Sequence, residues 1–443
     1  MAYDEFIFES YRYDPAVAML LLSYRFSGGP RFEERIDFDF PVRTLSLTER
    51  EILDRLFRLI FLFAGVSYYK TFIPRTLRCD AFALDAETAG FVHRFYEHGL
   101  GEFAYRNGIS LKDHFAIRTA PCPAPLPVET ALPRRTLVPV GGGKDSIVTL
   151  ECLRRAGEPL ALFALGDTEP IRATIAVANL PHIRVLRRLD PQLFALNEQG
   201  ARNGHVPITG ILSAIALAAA VLHGGDAVAM SNEHSASAPN LVADGVAVNH
   251  QYSKSLAFET DLADHLARHV SPNLVYFSFL RPLSEIEIAR RFARCPAYFG
   301  VFRSCNTAFR QDVAARGRQW CGNCPKCRFV FLALAPFVAK PGLVAIFGRD
   351  LLDDADQTEG FAELCGLARH KPFECVGEVT ESAAALAHLA DDLAWQSGAV
   401  VRRLRERHPA LRQSDGAVWR QLLATRHPHR LPARYRALLD ACG

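Results

Sequence analysis

Apolar and polar residues alternate through the first forty positions. Glu5-Phe-Ile-Phe-Glu-Ser-Tyr-Arg-Tyr13, Ala18-Met-Leu-Leu-Leu-Ser-Tyr-Arg-Phe26 and Arg31-Phe-Glu-Glu-Arg-Ile-Asp-Phe-Asp-Phe40 carry the two-residue period of half-buried strands, with Ser27-Gly-Gly-Pro30 as a turn. A small antiparallel meander is expected. The period then lengthens. Thr48-Glu-Arg-Glu51 has the form of a capping box ahead of helical periodicity to Phe63, and a second helix is expected after Asp85. Pro121, Pro123, Pro125, Pro127 and Pro133 mark an extended, semi-rigid boundary. Beyond it, short wholly apolar runs alternate with helical stretches. Thr136–Val140, Leu160–Leu165, Ile183–Leu186 and Ala227–Met230 read as buried strands, and 147–156 and 208–222 as helices. This rhythm predicts an α/β fold with a Rossmann-like parallel sheet covered on both faces. Three regions follow: an N-terminal α+β domain (1–130), a nucleotide-binding core (131–340) and a mainly helical C-terminal region (341–443).

The 443 residues include 51 basic and 48 acidic ones, a net charge of +3. That balance argues against a dedicated nucleic-acid binder. The arginine-rich run from Arg402 to Arg436 reads as a solvated helical face. The most apolar stretch, Val206 to Leu222, contains Pro207, Thr209, Gly210 and Ser213, so a buried helix rather than a membrane span is expected. The acidic start Met1-Ala-Tyr-Asp-Glu-Phe6 lacks the features of a secretory signal. A cytoplasmic location with reduced thiols is expected, so the eleven cysteines are read as packing, metal or catalytic residues and not as staples.

Two motifs carry chemistry. Gly141-Gly-Gly-Lys-Asp-Ser146 lies between a predicted strand and a predicted helix. Glycines admit a ligand close to the backbone, and the N–H groups of a helix start favour an anion. Lys144 adds charge, Ser146 a hydroxyl and Asp145 a possible metal contact. The spacing is neither that of a Walker loop nor that of a dinucleotide fingerprint. It resembles the S-G-G-x-D-S loop of the ATP pyrophosphatase (PP-loop) superfamily, with Gly141 where that pattern has serine. The resemblance implies ATP bound on a Rossmann-like sheet, adenylation of a carboxylate or carbonyl oxygen and release of pyrophosphate. The second motif is Cys321-Gly-Asn-Cys324-Pro-Lys-Cys327 with Cys305 upstream. Four thiolates satisfy tetrahedral Zn²⁺ in a closed, structural site, with an iron–sulfur cluster as the chemical alternative. The S-C-N…C-G-x-C-P-x-C pattern resembles the zinc motif of 7-cyano-7-deazaguanine synthases. Those enzymes lack the N- and C-terminal regions present here.

The larger set of segments covers residues 60 to 380. It comprises Ala64-Gly-Val-Ser-Tyr68, the stretch Gly99–Gly108, the glycine loop, Ser231-Asn-Glu233, Asn249-His-Gln251, the cysteine cluster, Phe329–Pro336, Ile346-Phe-Gly-Arg349 and His370–Glu378. Together they resemble the UDP-N-acetyl-alpha-D-muramoyl-L-alanyl-L-glutamate epimerase family. The resemblance implies an ATP- and Mg²⁺-dependent inversion of the terminal L-glutamate of a UDP-linked muramoyl dipeptide, with AMP and pyrophosphate released in peptidoglycan precursor synthesis. It implies Gly141, Gly142, Gly143, Lys144, Asp145 and Ser146 as the ATP site. Neither a pyridoxal phosphate, a nucleic acid nor a membrane is required. Acid–base candidates are Glu233, His250 and Lys254, which follow predicted strands, and Cys375, a thiol in a family-like segment; His234 is left as an ordinary polar residue. Glu102, Tyr105 and Arg106 are candidate substrate contacts. The competing readings are another PP-loop enzyme, such as a nucleobase- or tRNA-modifying synthase, and a non-catalytic nucleotide-binding protein.

Overall fold

The structure is a computed structural model that describes residues 3–243, 246–309, 320–368, 372–409, 416–424 and 426–443. Met1 and Ala2, His370 and Lys371 of the family-like segment, and residues 410–415 and 425 of the arginine-rich run lie outside these.

The alternating start forms the meander β1 (Glu5–Asp14), β2 (Met19–Phe26) and β3 (Arg31–Asp37), each antiparallel to the next. Leu20, Leu22, Tyr24 and Phe26 of β2 point into the core, as the two-residue period requires. Two short strands, β4 (Thr76–Cys79) and β5 (Ala116–Ile117), add in parallel beside β1. The second half builds β6 (Thr136–Pro139), β7 (Leu160–Leu165), β8 (His182–Arg188) and β9 (Ala227–Met230). A small hairpin, β10 (Leu241–Ala243) and β11 (Val246–Val248), precedes β12 (Val275–Ser278). The order β8-β7-β6-β9-β12 is all parallel, the doubly wound arrangement expected from the alternating runs.

The meander and the parallel sheet are one ten-stranded sheet, joined where β3 pairs antiparallel with β8, Ile36 opposite Arg187. At this seam Arg187 meets Glu34 through two contacts of 2.7 and 3.0 Å, and also reaches Ser67 Oγ at 2.9 Å. Glu34 is fully buried. Replacing Arg187 by methionine leaves that carboxylate without its cation, and a loss of about 3–5 kcal/mol is expected. Urea unfolding measures it; a change below about 1 kcal/mol would mean that the pair does not hold the seam.

Helix Leu47–Ala64 starts on a capping box two residues earlier than expected. Ser46 accepts from Glu49 N, and the Glu49 carboxylate accepts from Ser46 N. Thr48 instead faces Thr130, and Glu51 pairs with Arg55, so neither serves as a cap. Asp85 caps helix Ala86–Gly99 as predicted. Helix Ile208–His223 is buried along most of its length and packs on helix Leu47–Ala64. Among the described residues no helix is long and apolar enough to cross a membrane. Beyond residue 340 the described residues are mainly helical. Helix Ala399–Arg407 buries Val400, Val401 and Leu404 and turns Arg402 and Arg403 to solvent.

One expectation fails. Cys152 and Cys442 form a disulfide, Cα–Cα 5.6 Å, across a separation of 290 residues. Helix Ala433–Ala441 folds back on helix Lys144–Arg155 and carries Cys442 to Cys152. Two of the cysteines read as free thiols are therefore a staple, and nothing local to either one announces so distant a partner.

Candidate active site

β6 and β9 are neighbours on either side of the point where strand order reverses, and their carboxyl ends open a crevice. The glycine loop leaves β6 there and runs into helix Lys144–Arg155. Gly142 has φ +82°, and a Cβ on it would lie 2.6 Å from Pro170, so only glycine fits. No side chain caps the helix at Gly143, which leaves its first-turn N–H groups facing the crevice. The loop is braced from behind: Arg303 N donates to Gly142 O at 2.7 Å, and Ser146 Oγ to Gly143 O at 3.1 Å. Lys144 is buried between Asp145 (2.5 Å) and Glu285. Burial opposes its charge, but the two carboxylates outweigh that and raise its pKa. Asp145, Glu233 and Glu285 bring carboxylate oxygens within 4.8 Å of one another, a hard-oxygen set suited to Mg²⁺.

The crevice is a cleft of ≈ 510 Å³. The glycine loop and Asp145 line one part of it, and Glu233, His250, Lys254 and Cys375 line the other. Lys254 Nζ lies 3.3 Å from both Cys375 Sγ and Gln251 Oε1. His250 bonds Cys375 and, through Nδ1, Glu102. Burial pushes the Cys375 thiol up, but Lys254 and His250 outweigh it and bring the pKa down to about 6. Burial likewise opposes the His250 imidazolium, and Cys375 and Glu102 raise it to about 9. Both shifts favour a thiolate–imidazolium pair beside a lysine, in the same cleft as the glycine loop. Arg281, fully buried, ties the two loops together by donating to the carbonyls of Glu233 and Lys254 and to the Glu259 carboxylate.

Cys305, Cys321, Cys324 and Cys327 converge with all four sulfurs within 4.8 Å. The Cys321–Cys327 and Cys324–Cys327 separations, 3.7 and 3.4 Å, approach the edge of about 3.8 Å that Zn–S bonds of about 2.3 Å demand of a tetrahedron. The donor set fits a structural metal. Residues around it brace the cleft. Arg303 holds Gly142, Asn306 Nδ2 donates to Glu374 at 2.6 Å, and Lys326 lies 3.8 Å from Glu374, next to Cys375. Replacing Cys327 by serine is expected to take the metal content from about one per chain to near zero and to lower the melting temperature. Metal analysis with thermal unfolding checks both, and retained metal would remove Cys327 from the ligand set.

The structure thus gathers Gly141–Ser146, Glu233, His250, Lys254 and Cys375 into one place. Glu102 lies beneath His250 and does not line the cleft, with Arg106 on its other oxygen at 2.5 Å. Tyr105 and Arg106 pack on Phe373, at 5.6 and 5.3 Å. His234 stacks on His427 outside the cleft lining. Glu285, His205, Arg281 and Lys326 are not found from sequence. Of these only Lys326, set inside the cysteine motif, carried a local signal.

The amino-acid sequence has relatives among known proteins. A family model described as the MurL N-terminal domain matches residues 1–279, and one described as the MurL C-terminal domain matches residues 301–418. The chain is 43% identical over 437 residues, 97% of each chain, to the UDP-N-acetyl-alpha-D-muramoyl-L-alanyl-L-glutamate epimerase of Xanthomonas oryzae pv. oryzae. It is 44% identical, over 98% of each, to the protein of the same name from a Micromonospora species. With that of Salinispora tropica it shares 42%, over 99% of this chain and 96% of the relative.

Proposed function

The chain belongs to the UDP-N-acetyl-alpha-D-muramoyl-L-alanyl-L-glutamate epimerase family, and from that premise we propose that it inverts the terminal glutamate of the UDP-linked muramoyl dipeptide at the expense of ATP. The observation that carries this reading is the meeting of a glycine loop at an uncapped helix start and a thiol–imidazole–lysine group in one cleft. An ionised carboxylate makes the neighbouring Cα–H very hard to remove, because a second negative charge builds beside the first. The carboxylate oxygen attacks the α-phosphorus of ATP, pyrophosphate leaves, and an acyl adenylate without that charge results. A base takes the Cα proton, a proton returns on the other face, and water cleaves the acyl–phosphate bond to give the D-glutamyl product and AMP.

Gly141, Gly142, Gly143, Lys144 and Ser146 hold the phosphates in this reading, by backbone N–H groups, ammonium and hydroxyl. Asp145 and Glu233, with Glu285 behind them, would hold Mg²⁺, which neutralises phosphate charge. Cys375 is the base, and Lys254 carries positive charge beside the acyl group as electrons move onto it. Tyr105 and Arg106, which pack on Phe373, would contact the peptide end of the substrate in this reading. The four-cysteine metal, zinc in this reading, is structural. A UDP-linked substrate places the reaction in the cytoplasm, and no nucleic acid enters it.

The test is incubation with the UDP-linked L-Ala-L-Glu dipeptide, ATP and Mg²⁺ in D₂O. D-glutamate carrying deuterium at Cα, with one AMP per product, is expected. Metal-replete protein that binds ATP yet forms neither AMP nor exchanged product would overturn the reading. AMP formed only with a deazapurine acid or an RNA would move the chain to another branch of PP-loop chemistry.

A further inference from the structure

Three segments remote in sequence meet at the wall of the cleft. Helix Gly101–Arg106 supplies Glu102, which is 5% exposed. The loop after the β10–β11 hairpin supplies His250, and the segment before helix Val379–Ala390 supplies Cys375. The His250 ring lies between the other two, with Nδ1 on Glu102 Oε2 and a bond to the Cys375 sulfur. We propose that Glu102 is a positioning residue for the epimerisation, acting through His250 in a Glu102–His250–Cys375 relay that presents a thiolate to the substrate's Cα–H. The proposal rests on the epimerase reading for its substrate and on this geometry for its relay.

A buried carboxylate within reach of a ring nitrogen fixes which nitrogen carries the proton and steadies the imidazolium. The imidazolium in turn favours thiolate over thiol. Glu102 is suited to the task. Burial alone would raise its pKa, but His250 and Arg106 outweigh burial and keep it ionised. The remaining charges around the relay are consistent with it. Lys254 and Lys326 face the sulfur, and Glu374 beside it is taken up by Asn306 and Lys326. His205, its ring 4.3 Å from that of His250 and 3.8 Å from Glu102, is driven down to about 4 by burial and by His250, so it adds no second cation. Asp145 and Glu233 face Lys254 from the phosphate side. The proton transfers balance with solvent. The Cys375 lone pair takes the Cα proton and the C–H electrons pass into the adenylate's carbonyl; as those electrons return to Cα, a solvent-derived proton is added on the opposite face, and the S–H bond formed on Cys375 is broken by loss of its proton to solvent.

Two limits bound the active form. Below about 6 the sulfur is protonated, and above about 9 His250 loses its proton, so the pair is present between them. The experiment uses full-length, metal-replete protein and the rate of Cys375 alkylation by iodoacetamide as a function of pH, read on the Cys375 peptide by mass spectrometry. In the parent protein an inflection near 6 is expected. In E102Q it moves up by about one unit or more, a roughly tenfold loss of thiolate below both inflections. kcat for epimerisation falls about 10- to 100-fold, ATP–pyrophosphate exchange is unchanged, and E102D restores part of both losses. An unmoved inflection in folded E102Q overturns the proposal, whether activity is kept or lost. A second transition metal per chain, lost in E102Q and H205N, overturns it too, because the cluster would then be a ligand set. Alkylation needs neither nucleotide nor dipeptide. A parent protein that shows the inflection but no exchange in D₂O therefore overturns the epimerase reading and leaves the relay intact.

Discussion

Cys375→Ala is expected to separate the two halves of the reaction. Cα–H exchange and epimerisation fall by about 10³-fold or more, which is about 4 kcal/mol of transition-state stabilisation, while ATP–pyrophosphate exchange stays within a fewfold of the parent. The reason is spatial. Cys375 touches Lys254 and His250, whereas the phosphate loop is held by Arg303, Asp145 and Glu285 through contacts the thiol does not share. Cys375→Ser keeps the size but replaces a group that is ionised near neutral pH by one that is not, so it should be as inactive as alanine. Measuring both exchange reactions on one preparation decides the matter. Retained Cα–H exchange in either variant would move the base to Lys254 or His250, and lost pyrophosphate exchange would make Cys375 part of the nucleotide site.

Asp145→Ala is the complementary change. Pyrophosphate exchange and AMP formation should both fall by about 10³-fold or more, with alkylation of Cys375 unaltered. Asp145 belongs to the carboxylate set with Glu233 and Glu285 and is partly exposed to the cleft. Removing it leaves Lys144 still paired with Glu285, so the buried ammonium keeps a partner and the fold should hold. Thermal unfolding within a few degrees of the parent shows that the loss is chemical. Substantial remaining AMP formation would mean that Asp145 does not serve the phosphates.

Much of this protein was legible one residue after another. Strand alternation placed β1 to β3 within a few residues, the apolar runs placed β6 to β9, and the buried character of helix Ile208–His223 followed from its composition. Both chemical motifs were local. A loop that turns a strand into a helix around an anion, and cysteines spaced to chelate, must each be written in consecutive residues, because the backbone between the ligands sets the geometry. The capping box shows the limit of local reading. Ser46-Leu-Thr-Glu49 and Thr48-Glu-Arg-Glu51 satisfy the same pattern; Arg43 supports Glu49 from just upstream, whereas Thr130, which takes up Thr48, comes from a distant part of the chain.

What only the tertiary structure decided is which distant groups share a charge environment. The β3–β8 seam depends on an antiparallel edge pairing that strand patterns do not encode, since any strand of matching exposure can pair with any other. The Cys152–Cys442 staple, the clamp of Arg281 on two loops and the siting of Glu102 under His250 all bring together residues that hold no fixed sequence offset. Sequence by itself determined the elements, the glycine loop between strand and helix, the clustering of the four cysteines and the list of reactive side chains, because each follows from short-range periodicity or spacing. The charge environment of Cys375, from which the proposed ordering of that list into base, partner and positioning residue is read, was set by packing. A thiol's pKa answers to the ammonium, imidazolium and low-dielectric wall around it, and those arrive only when the chain has folded.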